Sequence, residues 1–197
     1  MNLKKIITKV LLRFPKLYIL LLLLKRSKNF EKIFYLKQLK KDYVILEFGA
    51  NKGVYTELFS GLAHQGHVYS FEAVKSTFVR TKKRLANEIK HNLTLENFAV
   101  GNENKTLHIN IPDGFDGQAS LKIQQSGYWK NSICKKEKCE MIRIADYITK
   151  YSITRIDFLK IDIEGSELLA LQGFDEFLKC LNPKIFIEIN SEWCKPF

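Results

Sequence analysis

Residues 44–56 read V-I-L-E-F-G-A-N-K-G-V-Y-T. The apolar run Val44-Ile45-Leu46 leads through Glu47 and Phe48 into a turn with Gly49 and Gly53 four residues apart, then into a helix-compatible segment. That is the strand, turn, helix order of a crossover unit that holds a nucleotide-like ligand at its turn. Glycine lets a ligand approach the main chain closely, and the helix N-terminus that follows offers backbone N–H groups. A tight turn in a parallel sheet that binds nothing has the same spacing, so residues elsewhere must decide.

The 197 residues suffice for one domain with a sizeable core. A hydrophobic fraction of 46% with 12% aromatics places the chain among globular proteins. The net charge of +11 is unevenly spread: residues 1–42 hold 12 Lys+Arg against 2 Asp+Glu, and residues 43–197 hold 20 against 19. The division expected is a basic, amphipathic helical extension over 1–42 and a near-neutral body over 43–197. A body without its own cationic face argues against nucleic-acid binding.

In the extension, Leu3, Ile6, Ile7, Val10 and Phe14 share one helical side, while Lys5, Lys9, Arg13 and Lys16 recur at steps of four, four and three. Pro15 should interrupt the helix at Phe14. Leu17–Leu24 is an eight-residue apolar run closed by Lys25-Arg26, short of the roughly 20 residues that cross a bilayer. A signal peptide shares the pattern of a basic region before a short apolar core, but no small-residue cleavage site follows Leu24. The expectation is that residues 1–28 lie on an anionic membrane surface, the protein being cytoplasmic and peripheral to the inner face. Packing on the domain or on a second subunit is the alternative.

Beyond an amphipathic segment from Asn29 to Lys41, short apolar strands alternate with helical segments. Strands are expected at Val44–Phe48, His67–Phe71, about Leu93–Phe98, Ile156–Ile163 and Lys184–Asn190. Helices are expected at Val54–Ala63, Ser76–Lys90, Asp146–Tyr151 and from Ser166 to about Leu178. This predicts an α/β, Rossmann-like fold with a mainly parallel sheet. Residues 101–145 depart from the alternation: a strand at Thr106–Ile111, a loop at 113–117 and a short strand at Ile142–Ile144. Such a polar excursion suits an acceptor-binding region or lid, or a flexible surface from Gln118 to Cys139.

Open parallel sheets bind ligands beyond the carboxyl ends of their strands, and here those ends carry Glu47, Glu72, Asp162 with Glu164, and Glu188 with Asn190. Glu72, 19 residues after Gly53, is placed to accept hydrogen bonds from ribose hydroxyls. In D-F-L-K-I-D-I-E-G-S-E (Asp157–Glu167), Lys160, Asp162 and Glu164 alternate and so share one face of a strand. Charge in register inside a parallel strand suggests a functional cluster. The alternative is an internal Lys160 salt bridge with Ser166 capping the next helix. Cys134, Cys139, Cys180 and Cys194 lack paired-knuckle spacing, and His64 and His67 flank a loop, so no ligand set calls for a metal.

The segments Glu47–Thr56, Tyr69–Ala73, Asp157–Gly173 and Ile185–Asn190 resemble, in order and spacing, the FkbM-type methyltransferases of the class I S-adenosylmethionine-dependent fold. K-I-D-I-E-G-S-E with a downstream L-Q-G is the most specific part, and the resemblance covers about residues 43–190. It implies methyl transfer from S-adenosylmethionine to a hydroxyl oxygen of a glycan or other small molecule. It further implies that Glu47, Gly49, Asn51 and Gly53 line the methionine end, Glu72 holds the ribose, and adenine lies near Asn97–Val100, including Ala99. Asp162 and Glu164, with Lys160 beside them, would face the methyl group. The position of Glu47 more often carries Asp in the family. The family's sheet also usually continues into a C-terminal β-hairpin that is expected to be lacking here, leaving Ile185–Asn190 as an exposed edge; the alternatives are a second copy in a homo-oligomer that covers it, a truncated version of the protein, or impaired activity. A degenerate, membrane-associated module of the same fold and a nicotinamide-dependent oxidoreductase are the rival readings.

Overall fold

The Val44–Phe48 run forms β1 at the centre of a five-stranded parallel sheet in the computed structural model, which describes residues 3–24, 29–89, 91–114, 116–121, 129 and 133–189. β2 (His67–Phe71) and β3 (Leu93–Glu96) lie on one side of it, β7 (Phe158–Ile161) and β8 (Lys184–Ile187) on the other, in the order β3-β2-β1-β7-β8. Helix α4 (Val54–Leu62) joins β1 to β2, and α5 (Lys75–Arg84) and α6 (Ala86–Ile89) join β2 to β3. The chain then returns to the far side of β1 through α7 (Ile144–Lys150), and α8 (Glu167–Gln172) and α9 (Phe177–Leu181) connect β7 to β8. The direction of winding therefore reverses between β1 and β7, the place where an open sheet leaves a crevice.

Apolar side chains fill both faces of the sheet. Ile45, Phe59, Leu62 and Phe158 pack on the α4 side, and Leu46, Phe48, Phe71, Ile144 and Phe174 on the other. The strand and helix expectations hold in the centre and shorten at the ends. β7 stops at Ile161, because Glu164 and Gly165 take left-handed φ values of 56° and 99° and turn the chain away from the sheet. The basic helix expected over 76–90 divides at Leu85. The helix after Ser166 divides around Asp175, which has φ 49°. Asn190 and Cys194 lie outside the described residues.

The excursion is more regular than expected. β4 (Ala99–Gly101), β5 (Lys105–Pro112) and β6 (Cys134–Arg143) form a second sheet in the order β4-β6-β5. The lysine-rich stretch read as part of a loop pairs antiparallel with β5 over eight residues. Its outward residues are polar because that face meets solvent, while Cys139 and Met141 turn inward with Ile109 and Ile111.

The first three helices are α1 (Leu3–Leu12), α2 (Pro15–Leu24) and α3 (Phe30–Gln38). Pro15 opens α2, where its missing N–H costs nothing. Asn29 caps α3 by accepting the Lys32 N–H at 3.0 Å. Tyr35 of α3 is fully buried against the rings of Phe59 and Phe158, and Leu12 and Tyr18 enter the same core. No helix among the described residues is long and apolar enough to cross a membrane.

Gly49 leaves no room for a side chain at the β1/β7 junction. Its φ is 90°, and a Cβ there would lie 1.9 Å from the Asp162 carbonyl oxygen on the neighbouring strand end. Gly114 has a comparable φ of 76° but open space around it. Gly114→Ala should therefore cost only the left-handed backbone strain, about 1 kcal/mol. Gly49→Ala adds a backbone clash at the β1/β7 junction and is expected to lose 3 kcal/mol or more, on the order of a large core defect. Urea unfolding of the two variants checks this, and equal losses would show that the junction can open.

Candidate active site

The loop after β1 is held by its neighbours before any ligand enters. Gly49 and Ala50 both donate their N–H groups to the Phe71 carbonyl at 3.0 and 2.9 Å, fastening the loop to the end of β2. From α5, Thr81 Oγ1 donates to the Asn51 carbonyl at 2.6 Å, and Arg84 donates to the carbonyls of Lys52 and Gly53. The Glu72 carboxylate closes the other side: Oε2 accepts the Asn51 N–H at 2.7 Å and Oε1 the Val74 N–H at 2.9 Å. Both N–H groups lie at the rim, so Glu72 is fixed in orientation by the backbone it braces.

A cavity of about 930 Å³ opens beside this loop. Of the residues singled out from the sequence, Gly49, Asn51, Glu72, Ala99, Asp162 and Glu164 line it. Glu47, Gly53, Asn97 and Lys160 stand behind its wall. Glu47 is buried under α4, accepting hydrogen bonds from Thr56 Oγ1 at 2.6 Å and Ser70 Oγ at 2.5 Å. Its side chain shares the face of Ile45, which packs into the α4-side core, so it cannot also reach the crevice. Gly53 packs on Thr81 and Leu85. The Asn97 amide donates to the carbonyls of Glu72 and Ala73 at 2.8 and 3.1 Å, tying the end of β3 to that of β2. Lys160 is the register partner of Glu47 across β1 and β7. It is 1% exposed, and its Nζ meets Asp162 Oδ2 at 2.6 Å and lies over the Tyr55 ring.

The internal salt bridge of Lys160 is thus present. Ser166 occupies the N-cap position of α8 without a side-chain hydrogen bond, and the Glu167 carboxylate accepts the N–H groups of Ile163 and Gly165 instead. His64 and His67 bind separately, to the Leu62 carbonyl and to Thr94. Among the described residues no three His, Cys, Asp or Glu side chains gather as metal ligands.

Negative charge dominates one end of the cavity. Asp162, Glu164 and Glu188 all line it, with Lys160 close behind, while Lys52, Arg80 and Arg84 line the cavity as well. Burial, followed by repulsion from Asp162, Glu188 and Glu167, pushes the Glu164 carboxyl up to about 8. Repulsion from Asp162 and then burial push Glu188 up as well. Burial raises Glu47 too, against the opposing pull of Lys160 and its two hydroxyl donors. Close by, Asn51 Oδ1 is buried with no hydrogen-bond partner among the described residues. An unsatisfied acceptor beside a surplus of carboxylates suits a ligand with N–H donors and positive charge.

Two supports carried no sequence signal. Gln118 Nε2 donates to Glu164 Oε1 at 3.1 Å and Ser120 Oγ to the Glu164 carbonyl at 2.7 Å, so the excursion clasps the left-handed turn. On the other side, Glu31 of α3 accepts from Tyr55 and from Tyr35, the latter at 2.8 Å. The contacts of Gln118 and Ser120 with Glu164 and of Glu31 with Tyr55 span 46, 44 and 24 residues, where only the fold brings the partners together.

Residues 47–195 match the family described as the methyltransferase FkbM domain. The chain belongs to that family. S-adenosylmethionine is the cofactor that membership implies, and the Asn51 acceptor with the carboxylates Asp162, Glu164 and Glu188 fits its ammonium and sulfonium groups. Among curated proteins, the FkbM chain is 20% identical over 148 residues to "Methyltransferase 1" of Beauveria bassiana (strain ARSEF 2860), covering 68% of this chain and 59% of that one. Among solved structures, a Clostridium thermocellum protein described as a candidate rRNA methylase aligns with a TM-score of 0.44 at 12% identity, covering 75% of this chain and 60% of that one. The chain thus spans about three fifths of the length of these relatives.

The position of Glu164 makes the stability of this FkbM domain depend on pH. The native state keeps a proton on Glu164 up to about pH 8, whereas the unfolded chain releases it near 4.5. The native state thus binds more protons across that window, and stability falls as pH rises through it. Glu164→Gln should remove this contribution, matching the wild type at pH 4.5. It should exceed it at pH 9 by on the order of 1–2 kcal/mol, discounted for partial solvent contact. Parallel pH profiles of thermal unfolding for the two proteins would exclude titration of Glu164 in this range.

Proposed function

We propose that the chain is an S-adenosylmethionine-dependent O-methyltransferase acting on a hydroxyl of a glycan or other small-molecule acceptor. The observation that carries this reading is the meeting of Asp162, Glu164 and Glu188 with Glu72 in one crevice at the β1/β7 reversal. Bound there, S-adenosylmethionine supplies an electrophilic methyl on a positively charged sulfur. Asn51 Oδ1 would accept from the methionine amino group, the cavity-facing side of Glu72 from the ribose, and Ala99 with Phe98 would pack on the adenine. Glu47, Gly53 and Asn97 act behind these contacts by holding the loop and the strand ends.

Asp162 and Glu164 divide the work near the methyl group. Asp162 is occupied by Lys160, whose Nζ donates to its Oδ2 at 2.6 Å. Glu164 has a carboxyl whose affinity for protons is poised near neutral pH, the property a general base requires. Glu164 therefore takes the acceptor hydroxyl proton, while Asp162 and Lys160 set the field in which it titrates. Region 101–145 supplies the acceptor-facing wall, since Gln118, Ser120 and Leu121 line the cavity.

The geometry gives a dinucleotide little support. The N–H groups of Gly49 and Ala50, which would have to cradle a pyrophosphate, are spent on the Phe71 carbonyl. Titration calorimetry should find S-adenosylmethionine binding and no comparable binding of NAD; absence of heat with S-adenosylmethionine would refute the reading. Glu72→Ala should weaken binding at least 100-fold. Glu164→Gln should retain cofactor yet lose transfer by about 100-fold or more once an acceptor is found by screening. Binding at pH 7 should also release more protons with S-adenosylmethionine than with neutral S-adenosylhomocysteine, because the cation lowers the proton affinity of Glu164. Calorimetry in buffers of different ionisation enthalpy measures that difference.

A further inference from the structure

Helices α1 and α2 use only one side to hold the domain. Leu12, Tyr18, Ile19 and Leu22 turn inward to the α4-side core, and Lys9 is tied to Glu88 at 2.5 Å. The outward side is as apolar as the inward one. On the first helix and just beyond it, Ile6, Ile7, Val10 and Phe14 are 39 to 59% exposed; on the second, Leu17, Leu20, Leu23 and Leu24 are 48 to 71% exposed. These eight residues are nearly half of the 17 exposed large hydrophobic side chains among the described residues, gathered within 19 positions. Their spacings of three and four along each helix keep them on one continuous face. A patch of this kind on a folded chain marks a surface made to be covered.

Charge identifies what covers it. Residues 1–28 contain eight Lys and Arg and no Asp or Glu, and Arg13 and Lys16 stand exposed at the junction of the two helices. A second copy laid on the same face would bring Arg13 and Lys16 against like charge. An anionic bilayer offers what the surface lacks: hydrocarbon for the leucine face and phosphates at the level of the cations. Each helix has ten residues and so is about 15 Å long, half the thickness of the hydrocarbon layer. They can lie in the interface and cannot cross it.

We propose that the outward faces of α1 and α2 together form an in-plane docking surface for an anionic lipid bilayer. This rests on the packing of the two helices and is independent of the cofactor reading.

The test is co-sedimentation of the full chain with vesicles of phosphatidylcholine alone and of phosphatidylcholine with 30% phosphatidylserine. Binding to the anionic vesicles should be at least tenfold stronger and should weaken in 0.5 M salt. The double variant Leu20→Glu/Leu23→Glu should lose at least tenfold with an unchanged melting temperature, since both side chains point away from the core. The charge variant Arg13→Glu/Lys16→Glu should lose the preference for phosphatidylserine. Equal partitioning onto the two vesicles, or unchanged binding by the Leu20→Glu/Leu23→Glu protein, overturns the proposal. So does a stable dimer in sedimentation equilibrium that the same variant abolishes and vesicles do not compete away.

Discussion

The buried ammonium of Lys160 organises this protein. Lys160 lies in the second-most central strand with almost no exposure, and its Nζ reaches Asp162 at 2.6 Å. Removing a cation from water costs several kcal/mol, and only close carboxylates can offset it. Glu47 on β1 and Asp162 at the end of β7 supply that compensation from two strands that must stay in register for both to be near. Where β1 ends, Gly49 fits against the Asp162 carbonyl with no room for a side chain. The charge below and the backbone contact above thus fix the same junction, and the crevice opens there because nothing else can fill it.

The support of Lys160 extends into the part of the chain that looks most separate from it. Tyr55 covers the ammonium with its ring, and its hydroxyl is held by Glu31. Burial and the Glu31 carboxylate push the phenol's proton affinity up, so Tyr55 remains a neutral donor. Glu31 also takes the Tyr35 hydroxyl, and Tyr35 fills the core between Phe59 and Phe158. α3 is therefore part of the scaffold that positions the site. α1 and α2 reach that scaffold through Leu12 and Tyr18, while the Tyr18 hydroxyl accepts from Lys32 at 2.6 Å.

What could be read from the sequence was whatever had a local period. Val44–Phe48 and His67–Phe71 announce strands by continuous apolar runs, and both appear with those limits. Helix breaks such as the one at Asp175 have no comparable mark, since a left-handed aspartate looks like any other. The lysines of 135–138 disguised a strand because its pairing with β5 leaves one face to water. At the site, Asn51, Glu72, Asp162 and Glu164 could be chosen because strand ends in a parallel sheet converge. Glu47 and Lys160 were legible as charged and interior, but periodicity alone does not say whether an inward charge faces a crevice or a helix. Gln118 and Glu31, 46 and 129 residues from the groups they steady at Glu164 and Lys160, are consequences of the fold and of nothing near them in the chain.

The placement of Lys160 also explains the proton held by Glu164. One cation cannot neutralise Glu47, Asp162, Glu164 and Glu188 together, and it is hydrogen-bonded to Asp162. The residual charge falls on Glu164, which is more buried than Glu188 and accordingly binds a proton near neutral pH. The site therefore keeps its charge nearly constant by exchanging one positive charge for another. In the proposed reaction a cation entering beside Glu164 would displace the proton, and a proton taken from an acceptor hydroxyl would restore the balance when that cation's charge is lost. A carboxyl lacking this strain would be a weaker base, and a fully paired cluster would have no reason to prefer a cation. The uneven match of one lysine to four carboxylates thus connects the packing of the sheet with the proposed selectivity and proton transfer.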